Sequence, residues 1–396
     1  MSGATPEVAD IVRLHGEAFV RTHAVGAQQV RALRSIQACR TAALGGLELA
    51  CEACDHTLVL YNSCRNRHCP KCGGRQRARW VERQQRRLLP VTYFHVVFTV
   101  PHQLAPIALQ NPRRVYALLL RTAAETLMQL ARDPAHLGAR IGVTTVLHTW
   151  GQSLEHHPHV HCLVPGGGLD PSGARWRSCR RGFLLPVRAL RKLFRGKLLA
   201  ALGDAYRAGE LHLHGRLEHL REPDAFWRWL RPLRKRKWVV YAKPPVAGPE
   251  VVLKYLGRYV GRVAIANSRI LSCDQERVLF RWLDRRDQTH KTMALAGTEF
   301  LRRLCLHVLP RGFVRIRHFG LMSSRAAAAW QRCQELLRAK EPRTPSEPDD
   351  TGTPTAQPGH TAHAVCPACG AAIVLVATIL RQPLGLDLGR VWRDTS

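Results

Sequence analysis

The chain has 396 residues, 45% of them hydrophobic, with 60 Lys and Arg against 29 Asp and Glu, giving a formal net charge of +31. That length accommodates two or three domains with a sizeable core, and so large a positive excess selects polyanionic partners, nucleic acid first. No apolar run is long enough to span a bilayer, and the first thirty residues lack a signal-peptide core. The expectation is a cytoplasmic, nucleoid-associated protein with no membrane partner.

Residues 6–45 carry helical apolar spacing in Val8, Ile11, Val12, Phe19 and Val20. A cysteine-rich stretch follows between Gly45-Gly46 and Gly73-Gly74. Thirteen cysteines in a long chain without an export signal point to metal or reduced thiols rather than disulfides. Cys51 and Cys54, then Cys69 and Cys72, form two CxxC knuckles, which together supply four thiolates for tetrahedral zinc. Cys64 and His68 are surplus to that set; either can substitute for one of the four, or the site can hold a second metal. Residues 75–89 hold Arg75, Arg77, Arg79, Arg83, Arg86 and Arg87 around Trp80, which predicts a DNA-facing helix beside the zinc site.

Residues 93–100 are β-branched and aromatic up to Pro101 and predict a buried strand. An amphipathic helix is expected over 113–131, with strands over 141–151 and 158–165. On the last of these strands His159 and His161 are two apart, so they project from one face as a pair of metal ligands. Gln152, near the end of the preceding strand, is one candidate for a third donor and His157 is the other. Two nitrogens and an oxygen in an open site suit Mg²⁺ or Mn²⁺.

A basic, helix-rich stretch spans about 185–235, and a fourth strand over 237–242 is expected to stop at Pro244-Pro245. A helix beginning near Pro249-Glu250 carries Tyr255 and Tyr259 four apart, hence on one face, with Lys254, Arg258 and Arg262 on a neighbouring face where they can hold phosphates. A phenol, with a pKa near ~10, becomes a competent nucleophile when a metal withdraws charge from the scissile phosphate. The product is a covalent phosphotyrosine that stores the phosphodiester bond energy, in keeping with the absence of a G-x-x-x-x-G-K-[ST] loop from the sequence. Residues 341–364 are poor in apolar anchors and predict a disordered linker, and a short tail over 365–396 carries a lone CxxC, Cys366 and Cys369, which is either half of a ribbon completed from elsewhere or without a role.

Five stretches taken together resemble the rolling-circle insertion-sequence transposases of the HUH endonuclease superfamily, paired-tyrosine type, with an N-terminal zinc-binding domain. They are residues 61–72 (YNSCRNRHCPKC), 156–168 (HHPHVHCLVPGGG), 238–245 (WVVYAKPP), 255–270 and 307–320 (HVLPRGFVRIRHFG). The similarity runs from about residue 8 to 335. It implies an α+β fold: an HUH-type central antiparallel sheet with flanking helices, preceded by a small zinc-ribbon-like domain. The expected division is an N-terminal helical segment (1–45), a zinc-binding DNA-recognition domain (46–90), the tyrosine nuclease domain (91–275) and its C-terminal part (276–340).

The resemblance makes His159 and His161 metal ligands and Tyr255 and Tyr259 nucleophiles. It implies nicking and rejoining of single-stranded DNA through a 5′-phosphotyrosine in rolling-circle transposition. The partners would be single-stranded element ends and target DNA, with a host helicase as a further candidate. The cofactors would be structural Zn²⁺ and catalytic Mg²⁺ or Mn²⁺, and DNA would be held by Arg75, Arg79, Lys254, Arg258 and Arg262. Two rival functions share parts of this pattern. A plasmid replication initiator or relaxase would use the same chemistry, but the zinc cluster and the 307–320 block weigh against it. A non-catalytic zinc-containing DNA-binding regulator leaves both histidines and both tyrosines without a role.

Overall fold

The computed structural model describes residues 5–85, 88–246, 251, 257, 262–284, 286–339 and 365–382. The chain begins with α1 (Val8–Thr22) and α2 (Ala27–Ala38), followed by the hairpin β1 (Gly46–Cys51) and β2 (Thr57–Tyr61), then α3 (Gly73–Gln85). Next come β3 (Tyr93–Thr99), α4 (Ala105–Gln110), α5 (Pro112–Arg132), β4 (Gly142–Trp150) and β5 (His156–Pro165). The small strands β6 (Gly167–Leu169) and β7 (Trp176–Ser178) lead to α6 (Val187–Arg207), α7 (Pro223–Leu230) and β8 (Val239–Val246). The last elements are β9 (Ile270–Cys273), β10 (Arg277–Asp284), β11 (Thr289–Ala296), α8 (Gly297–Cys305), β12 (Ile316–Gly320), α9 (Ala327–Arg338) and β13 (Ile373–Ile379).

The centre is a five-stranded antiparallel sheet in the order β12-β4-β5-β3-β8. Alternation along its strands decides which side chains meet which layer. Phe94, Val96 and Phe98 of β3, Val143 and Leu147 of β4, and Val160, Cys162 and Val164 of β5 face α5 and α6 in one buried cluster. Phe98 meets Phe194 of α6 with ring centroids 4.7 Å apart. The intervening residues face the opposite way. At the Pro165 end, Tyr93, Val146 and Leu163 are covered by Trp80 of α3 and Trp330 of α9. At the other end the same face carries histidines. The mixed fold with a central antiparallel sheet and flanking helices is the one expected.

One feature overturns the sequence reading and two extend it. First, β8 runs through Pro244 and Pro245 instead of stopping before them. Lys243 pairs with His95 and Val246 with Tyr93, so both prolines oppose a single residue at a β-bulge, in the strand at one end of the sheet order. A bulge on a strand with a single neighbour is a position where residues without an N–H are tolerated. Second, Trp80 lies only 7% exposed and pins α3 to the core, so the arginines of that helix act around an anchored tryptophan. Third, of the two readings open for the C-terminal CxxC the topology favours a ribbon completed from elsewhere: β13 joins β1 and β2 in a three-stranded sheet of order β13-β1-β2.

The N-terminal helices share a core with the segment after β8. Val8, Ile11, Val12 and Phe19 of α1 pack with Ile270, Val278, Phe280, Phe300 and Leu301. The helical spacing of α1 therefore buries a stripe against α8 and the β9–β11 sheet. Leu154, in the turn between β4 and β5, is fully buried in this same cluster. It adopts φ 62°, left-handed backbone that a non-glycine residue holds only when its surroundings enforce it. The turn at the mouth of the histidine hairpin is thus clamped by a second core.

Candidate active site and metal centres

The β4–β5 hairpin sets the site. Its register places His148 directly opposite His159, and Val146 opposite His161. His148, His159 and His161 consequently share a face, and one nitrogen from each lies within 4.8 Å of the others. His148 is buried, while His159 and His161 are half-buried. His148 also stacks on Trp150, two residues along the same face, at 4.6 Å between centroids.

The outer ring nitrogens fix which nitrogen is offered. His159 Nδ1 lies 2.7 Å from the carbonyl of His157, an acceptor only, so Nδ1 carries the proton and Nε2 keeps its lone pair. His161 Nδ1 lies 2.8 Å from His95 Nε2, on β3. Offering His161 Nε2 requires Nδ1–H to donate to His95, which then bears its own proton on Nδ1. Burial, then the neighbouring His148, His159 and His95 and the cation of Arg262, hold His161 well below the usual imidazole range. Burial likewise lowers His95 to about 3. Neutral imidazoles with fixed tautomers are what a metal requires.

The residue that the fold brings beside His159 and His161 is a third imidazole, whereas Gln152 and the His157 ring lie outside that group. The hairpin forms, but the residue it returns beside His159 is His148. Gln152 sits in the turn, where its carbonyl accepts from the Arg269 guanidinium, and His157 contributes its backbone carbonyl to orient His159. His95 and His148 were both missed. Counting back from the five-residue connection 151–155 sets His148 opposite Pro158; a bulge between His148 and Trp150 shifts the pairing to His159, which is why counting alone does not find it.

Cations gather next to the imidazoles. Arg262, one of the expected DNA contacts, lies close enough to His161 to oppose its protonation, and its carbonyl accepts from Arg315 at 3.1 Å. Arg315 is lowered to about 10 by burial and by Arg67, so it stays charged at neutral pH. Arg67 and Arg269 anchor to the carbonyls of Phe313 and Arg281. Such a group, held by carbonyls, is suited to an anionic backbone. Tyr255, Tyr259, Lys254 and Arg258 lie outside the described residues. Of the α3 arginines, Arg79 is exposed and lines a groove of about 750 Å³ with Tyr61, Arg40, Arg65 and Lys71. The backbone of Arg75 lies in α3, and its side chain is outside the described set.

The cysteines form two quartets rather than the single one expected. Cys69 and Cys72 join Cys39, just past α2, and Cys64, whereas Cys51 and Cys54 join Cys366 and Cys369. In each set the sulfurs lie within 4.8 Å of one another. The reading of Cys51, Cys54, Cys69 and Cys72 as one site fails because β1 carries the first knuckle toward β13 and away from the loop that leads into α3. In the first quartet Cys39 and Cys64 approach Cys72 at 3.5 and 3.7 Å. A hydrogen bond from the Cys64 thiol pulls Cys69 down to about 5. Tetrahedral zinc with bonds of about 2.3 Å sets sulfur–sulfur edges of about 3.8 Å, so this set fits zinc. His68, surplus in the sequence, is instead half-buried and accepts the Leu309 N–H at 3.3 Å.

Comparison with known proteins agrees with this architecture. A family model described as "Transposase zinc-binding domain" matches residues 11–100, and one described as "Putative transposase" matches residues 142–329. A protein described as "Putative transposase y4qJ" from Sinorhizobium fredii is 50% identical over 350 residues, covering 88% of each chain. The "Transposase for insertion sequence element IS801" from Pseudomonas savastanoi pv. phaseolicola is 30% identical over 322 residues, covering 79% of this chain and 75% of that one. No solved structure matches the chain. No helix among the described residues is long and apolar enough to cross a membrane. With a zinc-binding N-terminal region and an antiparallel sheet presenting paired histidines, the chain belongs to the insertion-sequence transposases of the IS91 type.

Proposed function

We propose that this transposase nicks and rejoins single-stranded DNA at element ends through a 5′-phosphotyrosine on Tyr255 or Tyr259, in rolling-circle transposition. The observation that carries the reading is the registered trio His148, His159 and His161, with tautomers fixed by His157 and His95. A divalent ion held by the three imidazoles, through Nε2 of His159 and His161, would withdraw charge from the scissile phosphate. The third imidazole, in place of an oxygen from Gln152, tilts the donor set away from Mg²⁺ and toward Mn²⁺ or another nitrogen-tolerant ion. Arg262, Arg269 and Arg315 supply fixed positive charge beside it for the strand's phosphates.

In the forward step the tyrosine oxygen bonds to phosphorus, the bond to the 3′ oxygen breaks, and a proton passes to that leaving oxygen. Rejoining reverses this, with a free 3′-hydroxyl attacking the phosphotyrosine. The flanks of the tyrosine segment support the assignment: β8 enters it from the central sheet, and Arg262 leaves it beside His161. The groove with Tyr61 and Arg79 is the candidate surface for reading element ends, through stacking and phosphate contacts.

The test mixes protein with labelled single-stranded oligonucleotides from the element ends, with Mn²⁺, Mg²⁺ or chelator. The expected result is a metal-dependent cut and a covalent adduct, lost in the Tyr255→Phe/Tyr259→Phe double variant and in His148→Ala. Binding to verified ends without cutting, or cutting retained by the double tyrosine variant, overturns the proposal.

A further inference from the structure

The second cysteine quartet is assembled from opposite ends of the chain. Cys51 closes β1 and Cys54 follows in the turn, whereas Cys366 and Cys369 precede β13. β13 lies antiparallel to β1 from Gly46↔Ile379 to Cys51↔Ile373, which brings both knuckles to the same end of the sheet. The backbones interlock there: Glu52 N–H donates to the Ala372 carbonyl at 3.3 Å, and Cys366 exchanges bonds of 2.8 Å with Ala371 and Gly370. Gly370, at φ 78°, supplies the left-handed residue that closes the second knuckle.

The sulfur geometry matches a tetrahedral ion. Cys51 lies 3.4 Å from Cys369, and Cys54 lies 3.8 Å from Cys366, against edges of about 3.8 Å for zinc tetrathiolate. Cys51 also accepts the Ala53 N–H at 3.4 Å, the backbone-to-sulfur bond that stabilises a thiolate.

A second observation shows that something besides apolar burial must hold β13. Of its seven residues only Ile373 is buried, and Val374, Leu375 and Val376 are 41%, 57% and 61% exposed. A strand that buries so little cannot offset the entropy of fixing it, and small sheets of this kind rely on a metal or a covalent clip.

We propose that Cys51, Cys54, Cys366 and Cys369 bind a second structural zinc ion, distinct from that of Cys39, Cys64, Cys69 and Cys72, and that this ion fastens the C-terminal strand to the N-terminal hairpin. Half of this site lies beyond both regions matched by the transposase family models, which end at residue 329.

The test measures zinc per chain by plasma mass spectrometry on full-length protein purified under reducing conditions. The parent should carry about two ions, and Cys366→Ser/Cys369→Ser and Cys51→Ser/Cys54→Ser about one each. Cobalt substitution guards against misfolding, because the variants should keep about half of the thiolate–cobalt charge-transfer absorbance from the intact first quartet. Amide exchange over residues 373–379 should be slow in the parent and fast in both variants. One zinc in the parent, two in either variant, a disulfide among the four cysteines in place of metal, or parental protection of β13 in the depleted variants would each overturn the proposal.

Discussion

Replacing His95 by Phe tests whether the imidazole behind His161 governs the metal site. Phe keeps the ring volume and the offset stack on His161, whose centroid is 5.0 Å away at 14°, but removes the nitrogen that accepts at 2.8 Å. His95 is 2% exposed, so no solvent replaces the lost acceptor. A buried donor left unmade costs about 1–3 kcal/mol, and loss of an orienting partner behind a ligating histidine lowers metal affinity about 10- to 100-fold, equivalent to about 1.4–2.8 kcal/mol. The two ranges overlap, which is the expectation if His95 acts wholly through His161. Mn²⁺ binding to zinc-loaded protein, followed by electron paramagnetic resonance of the free ion, should show that weakening. His95→Gln, which restores an acceptor, should recover much of it. DNA nicking at saturating Mn²⁺ should stay near the parental rate. Affinity within about twofold of the parent in His95→Phe would refute the reasoning.

Three further outcomes follow from the geometry. Gly297 opens α8 against α1, and a Cβ there would lie 2.1–2.3 Å from ring atoms of His15, which is held by the Asp274 carbonyl at 2.9 Å. Gly297→Ala should therefore lower unfolding free energy by about 1–3 kcal/mol in urea titrations, and an unchanged midpoint would contradict that close approach. His68 and His307 are lowered by burial to about 3 and about 4, below the unfolded value near ~6.5. The unfolded chain then binds more protons, so their stability contribution is complete above pH ~6.5 and is lost as pH falls toward ~4, at up to about 1.4 kcal/mol per pH unit for each. His68→Gln should flatten that slope, and equal slopes in parent and variant would remove His68 from the account. Arg79 and Arg83 are exposed on α3. Their joint replacement by Ala should weaken single-stranded DNA binding and reduce the salt slope by about 1.4; an unaltered slope would place the DNA elsewhere.

The sequence exposed the central sheet because its strands are β-branched runs with clear boundaries, and it exposed His159 and His161 because strand alternation is local. What it concealed depended on pairing between distant segments. His148 sits in a uniformly buried strand, where alternation gives no contrast, and only the hairpin register brings it to His159. His95 reaches His161 across a different strand pair. The cysteines were grouped by spacing, whereas the fold sorts them by topology: Cys39 arrives from the end of a helix, and Cys366 and Cys369 arrive on a strand more than three hundred positions away. The double proline looked like a terminator because position in the sheet order, which makes it tolerable, cannot be seen from composition.

The pairing of β13 with β1 also has a consequence for biogenesis. Cys54 and Cys366 are 312 residues apart, so at about 5–20 residues per second a ribosome needs roughly 15–60 s to deliver the second strand after the first has emerged. Throughout that interval β1 presents an open edge beside the exposed Leu47, Val59 and Leu60, the kind of surface that recruits other chains. Every copy of the protein must therefore wait for residues 373–379 before its N-terminal sheet is finished. A frameshifted or prematurely stopped copy, ending before residue 365, would retain the histidine hairpin and yet remain permanently open at that edge. Its fate would be decided by aggregation and proteolysis, so the pairing of β13 with β1 makes completion of the N-terminal sheet depend on synthesis at least as far as residue 379.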